Sequence, residues 1–316
     1  MPSKARNTSM AESTRKRTKH SLVDEAWLLM MLPALFWAGN AIVGRSVAGE
    51  VPPVALAFWR WATGALLLLP LAWRHLGRDL PMMLRAWPIL LVLSALGIGV
   101  FNTFLYIGAQ TTTALNIVMI QSAMPALIVA FTFLIFREKV TLRQALGVLI
   151  SIAGTLTLVT HGDASVLLQF AFNRGDLWML AGTASYAMYT ALLRRRPAVH
   201  GLSFAVATFA TGALMLLPFY MMETLSGRPM PLNVASVLAV GYVSIFASIL
   251  AYLSYNRAVA LIGPNTAGMT IYLVPVFGTI LAIVLLGETP RLYHGVGIAL
   301  IAVGVALATR KVAKAS

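Results

Sequence analysis

Ten uninterrupted apolar segments, each about 20 residues long, constrain this chain more than any other feature. They cover residues 26–44, 54–73, 87–108, 114–135, 142–160, 176–193, 203–222, 233–256, 265–286 and 293–309. An α-helix of about 20 apolar residues spans the roughly 30 Å hydrocarbon core of a bilayer. A membrane β-barrel would instead show shorter segments of alternating polarity, and none appear. Of the 316 residues 59% are hydrophobic and 11% charged, so almost nothing is left for a soluble domain. The expectation is an all-α integral membrane protein with ten transmembrane helices. The first 25 residues are polar and the first apolar run already has span length, so no cleavable signal peptide is expected. The chain has no cysteine, which excludes disulfides, thiol catalysis and cysteine metal sites.

The net charge of +14 raises the question of a nucleic-acid partner. The positions of the charges argue against one. With the N-terminus in the cytoplasm and ten alternating spans, the cytoplasmic side receives Lys4, Arg6, Arg15, Lys16, Arg17 and Lys19, then Arg74, Arg78 and Arg85, then Arg137, Lys139 and Arg143. It also receives Arg194, Arg195, Arg196, Arg257, Arg310, Lys311 and Lys314, which makes 19 of the 24 basic residues. The opposite side receives Arg45, Arg174, Arg228 and Arg291, and Arg60 lies within the second span. This asymmetry follows the positive-inside rule and puts both termini in the cytoplasm of a multi-pass protein of a bacterial inner membrane. The tail STRKRTKH then meets anionic lipid headgroups rather than nucleic acid.

The sequence also repeats itself. Pro125 and Glu138 recur as Pro275 and Glu288, each 150 residues on, and Gly147 and Gly154 recur as Gly297 and Gly304 at the same offset. ATGALLLLP (62–70) returns as ATGALMLLP (210–218) at offset 148. Spans 1–5 and 6–10 thus read as two copies of one unit, over residues 26–160 and 176–309. Residues 161–175 form a periplasmic linker, and 1–25 and 310–316 form cytoplasmic tails. Five spans is an odd number, so the second copy enters the membrane inverted. Inverted repeats are characteristic of secondary transporters, which rock one half against the other around a midplane site. Glu138 and Glu288 then end equivalent spans on opposite faces, in turns that they are expected to hold by pairing with Lys139 or Arg291 or by accepting amide hydrogens. The glycine pairs predict close packing of spans 5 and 10.

FWAGN in the first span, AFWR opening the second, GE before the last span and the two five-span units together resemble the EamA-type transporters of the drug/metabolite transporter (DMT) superfamily. The similarity covers about residues 27–309. Length, basic tail and aromatic content further resemble YddG-like exporters of aromatic and other neutral amino acids. The resemblance implies a transporter rather than an enzyme. FREKV, where the family often has a glycine before the glutamate, marks divergence between the halves.

Polar side chains at depth should face the bundle interior or a water-filled path. Trp37 and Asn40 lie one turn apart, and Tyr186 and Tyr189 are their counterparts at offset 149. Asn102 and Tyr106 share a helix face, as do Ser248, Tyr252 and Asn256. Asn116, Gln121, Thr266, Met269 and Tyr272 add further groups. These predict a substrate-binding interior of Trp37, Asn40, Arg60, Asn102, Tyr106, Gln121, Tyr186, Tyr189, Tyr252, Asn256, Met269 and Tyr272, suited to a small neutral or zwitterionic solute. Pro125 and Pro275 each remove a helical hydrogen bond and are candidate kinks or hinges. Arg60 reads either as an anchor paired to Glu50 or as a partner for a solute carboxylate.

No acidic residue lies at the centre of a span, as exporters of cationic drugs usually require. No phosphate loop or hydrolase motif appears, and the five histidines fall in tails, turns or span ends. No metal, cofactor or catalytic residue is expected. The expected function is export of small metabolites, aromatic and other neutral amino acids first, by alternating access. Nucleoside-like or drug-like amphiphiles are the alternative substrates. A membrane-embedded enzyme on lipid substrates is the alternative of another class, and it would show clustered Asp, Glu or His at span ends.

Overall fold

A computed structural model describes residues 27–44, 46–47, 49–169, 171–286 and 289–309. Among the described residues there is no strand. In chain order the main helices are α1 (Trp27–Gly44), α2 (Pro53–Arg85), α3 (Trp87–Ala109), α4 (Ala114–Ser122 and Met124–Phe136) and α5 (Leu142–Val159). They continue with α6 (Arg174–Leu192), α7 (Gly201–Leu225), α8 (Val234–Ile262), α9 (Pro264–Gly268 and Thr270–Leu286) and α10 (Leu292–Thr309).

Among the described residues nine of these, all except α6, are long and apolar enough to cross a membrane. The physical reason for the exception is visible in α6 itself. It begins with Arg174 and Asp176 and carries Thr183, Ser185, Tyr186, Tyr189 and Thr190 on its buried side, while Leu177, Trp178 and Leu180 are exposed. Its polar groups are covered by neighbouring helices, so low hydropathy does not mean contact with water. α2 runs on to Arg85, past Pro70 and Pro81, and α8 to Ile262, both beyond their apolar runs. Hydropathy marks where a bilayer would end, not where a helix ends.

The halves meet through pairs of equivalent residues. α5 and α10 pack antiparallel. A Cβ on Gly147 would lie 2.5 Å from the Gly304 carbonyl oxygen, and one on Gly154 would lie 2.8 Å from that of Gly297. As the position rises by seven residues on one helix it falls by seven on the other. Any side chain here would strike backbone, so these glycines set the helix separation. α2 and α7 also pack antiparallel and cap each other. Glu223 at the end of α7 accepts the Ala55 amide of α2 at 2.8 Å. Asp79 near the end of α2 accepts the His200 amide at the start of α7 at 3.0 Å. Each carboxylate sits at the partially positive N-terminus of its partner helix.

α3 and α8 each contain a π-turn, Ala95–Val100 and Ile245–Leu250, at an offset of 150 for every position. A π-turn loosens the helical ladder and releases carbonyls from it. Gly97 and Ala247 occupy the same place in the two turns.

The Pro125 and Pro275 positions are less alike. Pro125 follows an interruption at Ala123 and begins a new helical piece, whereas Pro275 lies inside the continuous piece Thr270–Leu286. The corresponding interruption in α9 falls earlier, at Met269. Glu138 pairs with Arg194 rather than with Lys139; Glu288 lies outside the described residues. Thr141 and Gln144 form a capping box at the start of α5.

One end of the bundle is closed by the fully buried Asp176. It accepts hydrogen bonds from the Thr112 hydroxyl, from Asn116 Nδ2 at 3.1 and 2.9 Å and from the Asn173 amide at 2.8 Å. Beside it the backbones of α3 and α6 touch, a Cβ on Gly175 falling 2.6 Å from the Gly108 carbonyl oxygen.

Candidate solute site

The two π-turns aim their freed carbonyls at the bundle centre, and different donors answer them. Tyr252 donates its hydroxyl to the Gly97 carbonyl at 2.7 Å. The Ala247 carbonyl accepts from Arg60 Nη2 at 2.7 Å and from Trp37 Nε1 at 3.2 Å. Arg60, only 1% exposed, also donates from Nε to Ser248 Oγ at 2.6 Å, and from Nη1 to Asn40 Oδ1 at 3.0 Å and Tyr106 Oη at 2.9 Å. Tyr106 closes the triangle by donating to Asn40 Oδ1 at 3.0 Å. The guanidinium lies 4.8 Å from the Trp61 ring centroid.

All of these partners are neutral. No ion pair to Arg60 exists among the described residues, so the expected Glu50 anchor is not formed. Glu50 is exposed at the chain's turn into α2, whereas Arg60 points inward to the π-turn of α8. A buried charge without a counter-ion is costly even when hydrogen-bonded. Four of its five N–H groups are engaged, and the positive charge itself is uncompensated.

Against this network packs an aromatic cage. Trp37, Tyr186, Tyr189, Tyr252 and Tyr255 lie in a chain of ring contacts with centroids 5.3–6.1 Å apart. Trp61, Phe209 and Phe101 extend it at 4.5–5.9 Å. The contacts Trp37–Tyr186 and Trp61–Tyr252 are edge-to-face, a favourable geometry for such rings. Asn102 Nδ2 donates to Tyr252 Oη at 3.3 Å, and Tyr189 Oη donates to Asn256 Oδ1 at 2.9 Å. Two buried donors in the cage, Tyr186 Oη and Trp61 Nε1, have no hydrogen-bond partner. They are two of eleven buried side-chain polar atoms without a partner among the described residues, and the two that lie in the cage.

The sequence-predicted residues therefore divide. Trp37, Asn40, Arg60, Asn102, Tyr106, Tyr186, Tyr189, Tyr252 and Asn256 form one connected cluster. Tyr272 is buried but donates to the Ser122 carbonyl at 3.0 Å, away from the cage. Met269 is buried and Gln121 half-buried, and no hydrogen bond or ring contact joins either to the cluster among the described residues. Sequence reasoning missed Trp61, Tyr255, Phe101 and Phe209. Tyr255 had a readable signal, because it lies three residues after Tyr252 on the same helical stripe. The role of Ala247 had none, since it rests on a backbone carbonyl.

Beyond Tyr189 and Asn256 lies a cavity of about 450 Å³, lined by Arg196, Val199, His200, Gly201, Leu202, Leu253, Asn256 and Arg257. It lies past the C-terminal end of α6, whose other end carries Asp176, and of the cluster's residues Asn256 lines it. Among the described residues no group of three or more His, Cys, Asp or Glu could hold a metal.

The EamA-like transporter family matches this chain twice, over residues 25–160 and 173–310. An uncharacterized transporter of Archaeoglobus fulgidus is 30% identical over 290 residues, covering 90% of this chain and 97% of that protein. The uncharacterized inner membrane transporter YedA of Escherichia coli is 28% identical, covering 89% and 91%. The uncharacterized inner membrane transporter YicL of Salmonella typhimurium is 24% identical, covering 89% and 93%. A solved crystal structure shares the fold with a TM-score of 0.74 at 21% identity, covering 90% of this chain and 96% of its own.

Proposed function

This chain belongs to the EamA-like transporter family, and from that premise we propose that it exports aromatic and other neutral amino acids from the cytoplasm by alternating access. In this reading ten helices span a bacterial inner membrane, α6 being the tenth. They form two inverted five-helix repeats, 26–160 and 176–309, joined by a periplasmic linker at 161–175, with both termini cytoplasmic. The family match on both halves, the antiparallel glycine contacts and the reciprocal capping of α2 and α7 support the inverted repeat. Two relatives named inner membrane transporters support the location.

The observation that carries the substrate is Arg60, a buried guanidinium with neutral partners set against an aromatic cage. A carboxylate supplies the missing negative charge through a charge-assisted contact, and the rings receive an apolar side chain. Asn40, Tyr106 and Ser248 hold the guanidinium meanwhile. Trp37, Asn102, Tyr186, Tyr189, Tyr252 and Asn256 form the cage and its inner floor. Gln121, Met269 and Tyr272, with Pro125 and Pro275, belong to the moving α4 and α9 rather than to the first contacts of the solute. No acidic residue lies in the cage, so transport follows the substrate's own gradient.

Phenylalanine efflux from vesicles containing the full chain tests this reading. Saturable efflux whose rate is unchanged by an imposed pH gradient is the expected result. Absence of efflux for all neutral amino acids would overturn the substrate, and acceleration by a proton gradient would overturn the passive mechanism.

A further inference from the structure

The cavity beyond Tyr189 and Asn256 has a chemistry of its own. Its wall carries the basic residues Arg196, Arg257 and His200, the polar Asn256, and the apolar Val199, Leu202 and Leu253. Arg196 is half-buried, stands over the Phe204 ring at 5.7 Å, and takes part in no ion pair among the described residues. Burial, and secondarily the neighbouring Arg257 charge, lowers its guanidinium pKa from the ordinary value. Asn256 gives its Oδ1 to Tyr189, and its Nδ2 makes no hydrogen bond among the described residues. The volume of about 450 Å³ lies within the range of small-molecule sites.

We propose that this cavity is a second, separate binding site, which captures the carboxylate of a small solute on Arg196 and the Asn256 amide, with the solute's apolar body against Val199, Leu202 and Leu253. Its place as the cytoplasmic entry to the cage rests on the transport reading, whereas the binding chemistry does not. The Arg196 guanidinium in a partly enclosed space raises the local anion concentration, and the apolar wall selects a solute with a hydrocarbon body over an inorganic ion. Asn256 belongs to both compartments, lining this cavity and accepting the Tyr189 hydroxyl of the cage. A solute that takes the Asn256 amide therefore sits one side chain from the ring chain leading to Arg60. The path then has two cationic stations, Arg196 before the aromatic cage and Arg60 behind it.

The test uses the full chain in phosphatidylcholine nanodiscs and radiolabelled 3-phenylpropionate as the probe, measured by equilibrium dialysis. Saturable binding is expected, weakened about tenfold or more by Arg196→Gln, as loss of a charged hydrogen-bond partner requires, and largely kept by Arg196→Lys. Phenethylamine should bind at least tenfold more weakly than 3-phenylpropionate. Leu253→Glu gives an independent reading, because a carboxylate on the wall should abolish 3-phenylpropionate binding and admit phenethylamine. Equal binding to wild type and Arg196→Gln, or no preference between the two probes, would overturn the proposal. So would loss of binding in phosphatidylglycerol nanodiscs, which would assign the site to a lipid phosphate. Arg196-dependent binding without efflux would break the transport reading and leave this site standing; efflux without such binding would do the reverse.

Discussion

The π-turn of α3 and the π-turn of α8 share one backbone shape and serve different chemistry. Gly97 and Ala247 present equivalent carbonyls to the bundle centre, yet Gly97 receives a neutral tyrosine hydroxyl and Ala247 receives a guanidinium and an indole. Gly97 also has to be a glycine, since a Cβ there would fall 2.4 Å from the Tyr189 ring, whereas Ala247 accommodates its methyl group fully buried. The difference teaches that the repeated frame and the binding chemistry are separable. Backbone geometry is duplicated, while the donors that use it have diverged. Thr208 stands where Arg60 does in the other half, at offset 148, and among the described residues bonds only to the Phe204 and Ala205 carbonyls of its own helix.

The comparison breaks most visibly where it should not hold. At the α5–α10 contact the halves are used symmetrically, so Gly154→Val and Gly304→Val should be equally damaging. Each drives a side chain into backbone and should cost about 3 kcal/mol or more, read as loss of folded protein in detergent. Tolerance of one and not the other would mean that the contact is not symmetric. In the π-turns the effects should be unequal. Gly97→Ala forces the Tyr189 ring aside, at about 1–3 kcal/mol. Ala247→Gly removes only a methyl group and some helix propensity, at about 1 kcal/mol. The midpoints of thermal unfolding should separate them in that order.

The smallest effects sharpen the contrast between satisfied and orphan donors. Tyr252→Phe removes a hydroxyl bonded to the Gly97 carbonyl and should cost about 1 kcal/mol. Tyr186→Phe removes a hydroxyl with no partner among the described residues, so stability should hold or rise slightly. Transport should nevertheless fall in Tyr186→Phe if that hydroxyl meets the solute. A destabilised Tyr186→Phe would show that the hydroxyl is already used by the frame.

Much of the fold was readable because membrane helices must be apolar over a set length, and that rule operates residue by residue. The glycines of α5 and α10 were readable for a similar local reason, since a stripe of small residues announces close approach. α6 was legible as the apolar run 176–193 although it falls outside the stricter criterion that the other nine helices meet, because Thr183, Ser185, Tyr186, Tyr189 and Thr190 are sheltered by neighbouring helices. The cage was half legible. Helical spacing brought out Trp37, Asn40, Tyr186 and Tyr252, but Trp61 and Phe209 read as ordinary apolar residues. The π-turns and the Ala247 carbonyl carried no side-chain signature. Gln121, Met269 and Tyr272 were read as polar or soft residues at depth; no hydrogen bond or ring contact joins them to the cluster among the described residues, and Tyr272 bonds to the Ser122 carbonyl.

The account turns on a single asymmetric charge, and one measurement addresses it directly: efflux of phenylalanine and of phenethylamine from vesicles carrying wild type or Arg60→Ala. Loss of a hydrogen bond to a charged group, about 1.5–3 kcal/mol, at roughly 1.4 kcal/mol per factor of ten, predicts that phenylalanine efflux falls about ten- to hundredfold. Any phenethylamine efflux, from a solute with the same ring and no carboxylate, should be spared. Equal loss for both solutes in a folded Arg60→Ala protein would contradict the account, because Arg60 would then hold the frame and read no carboxylate.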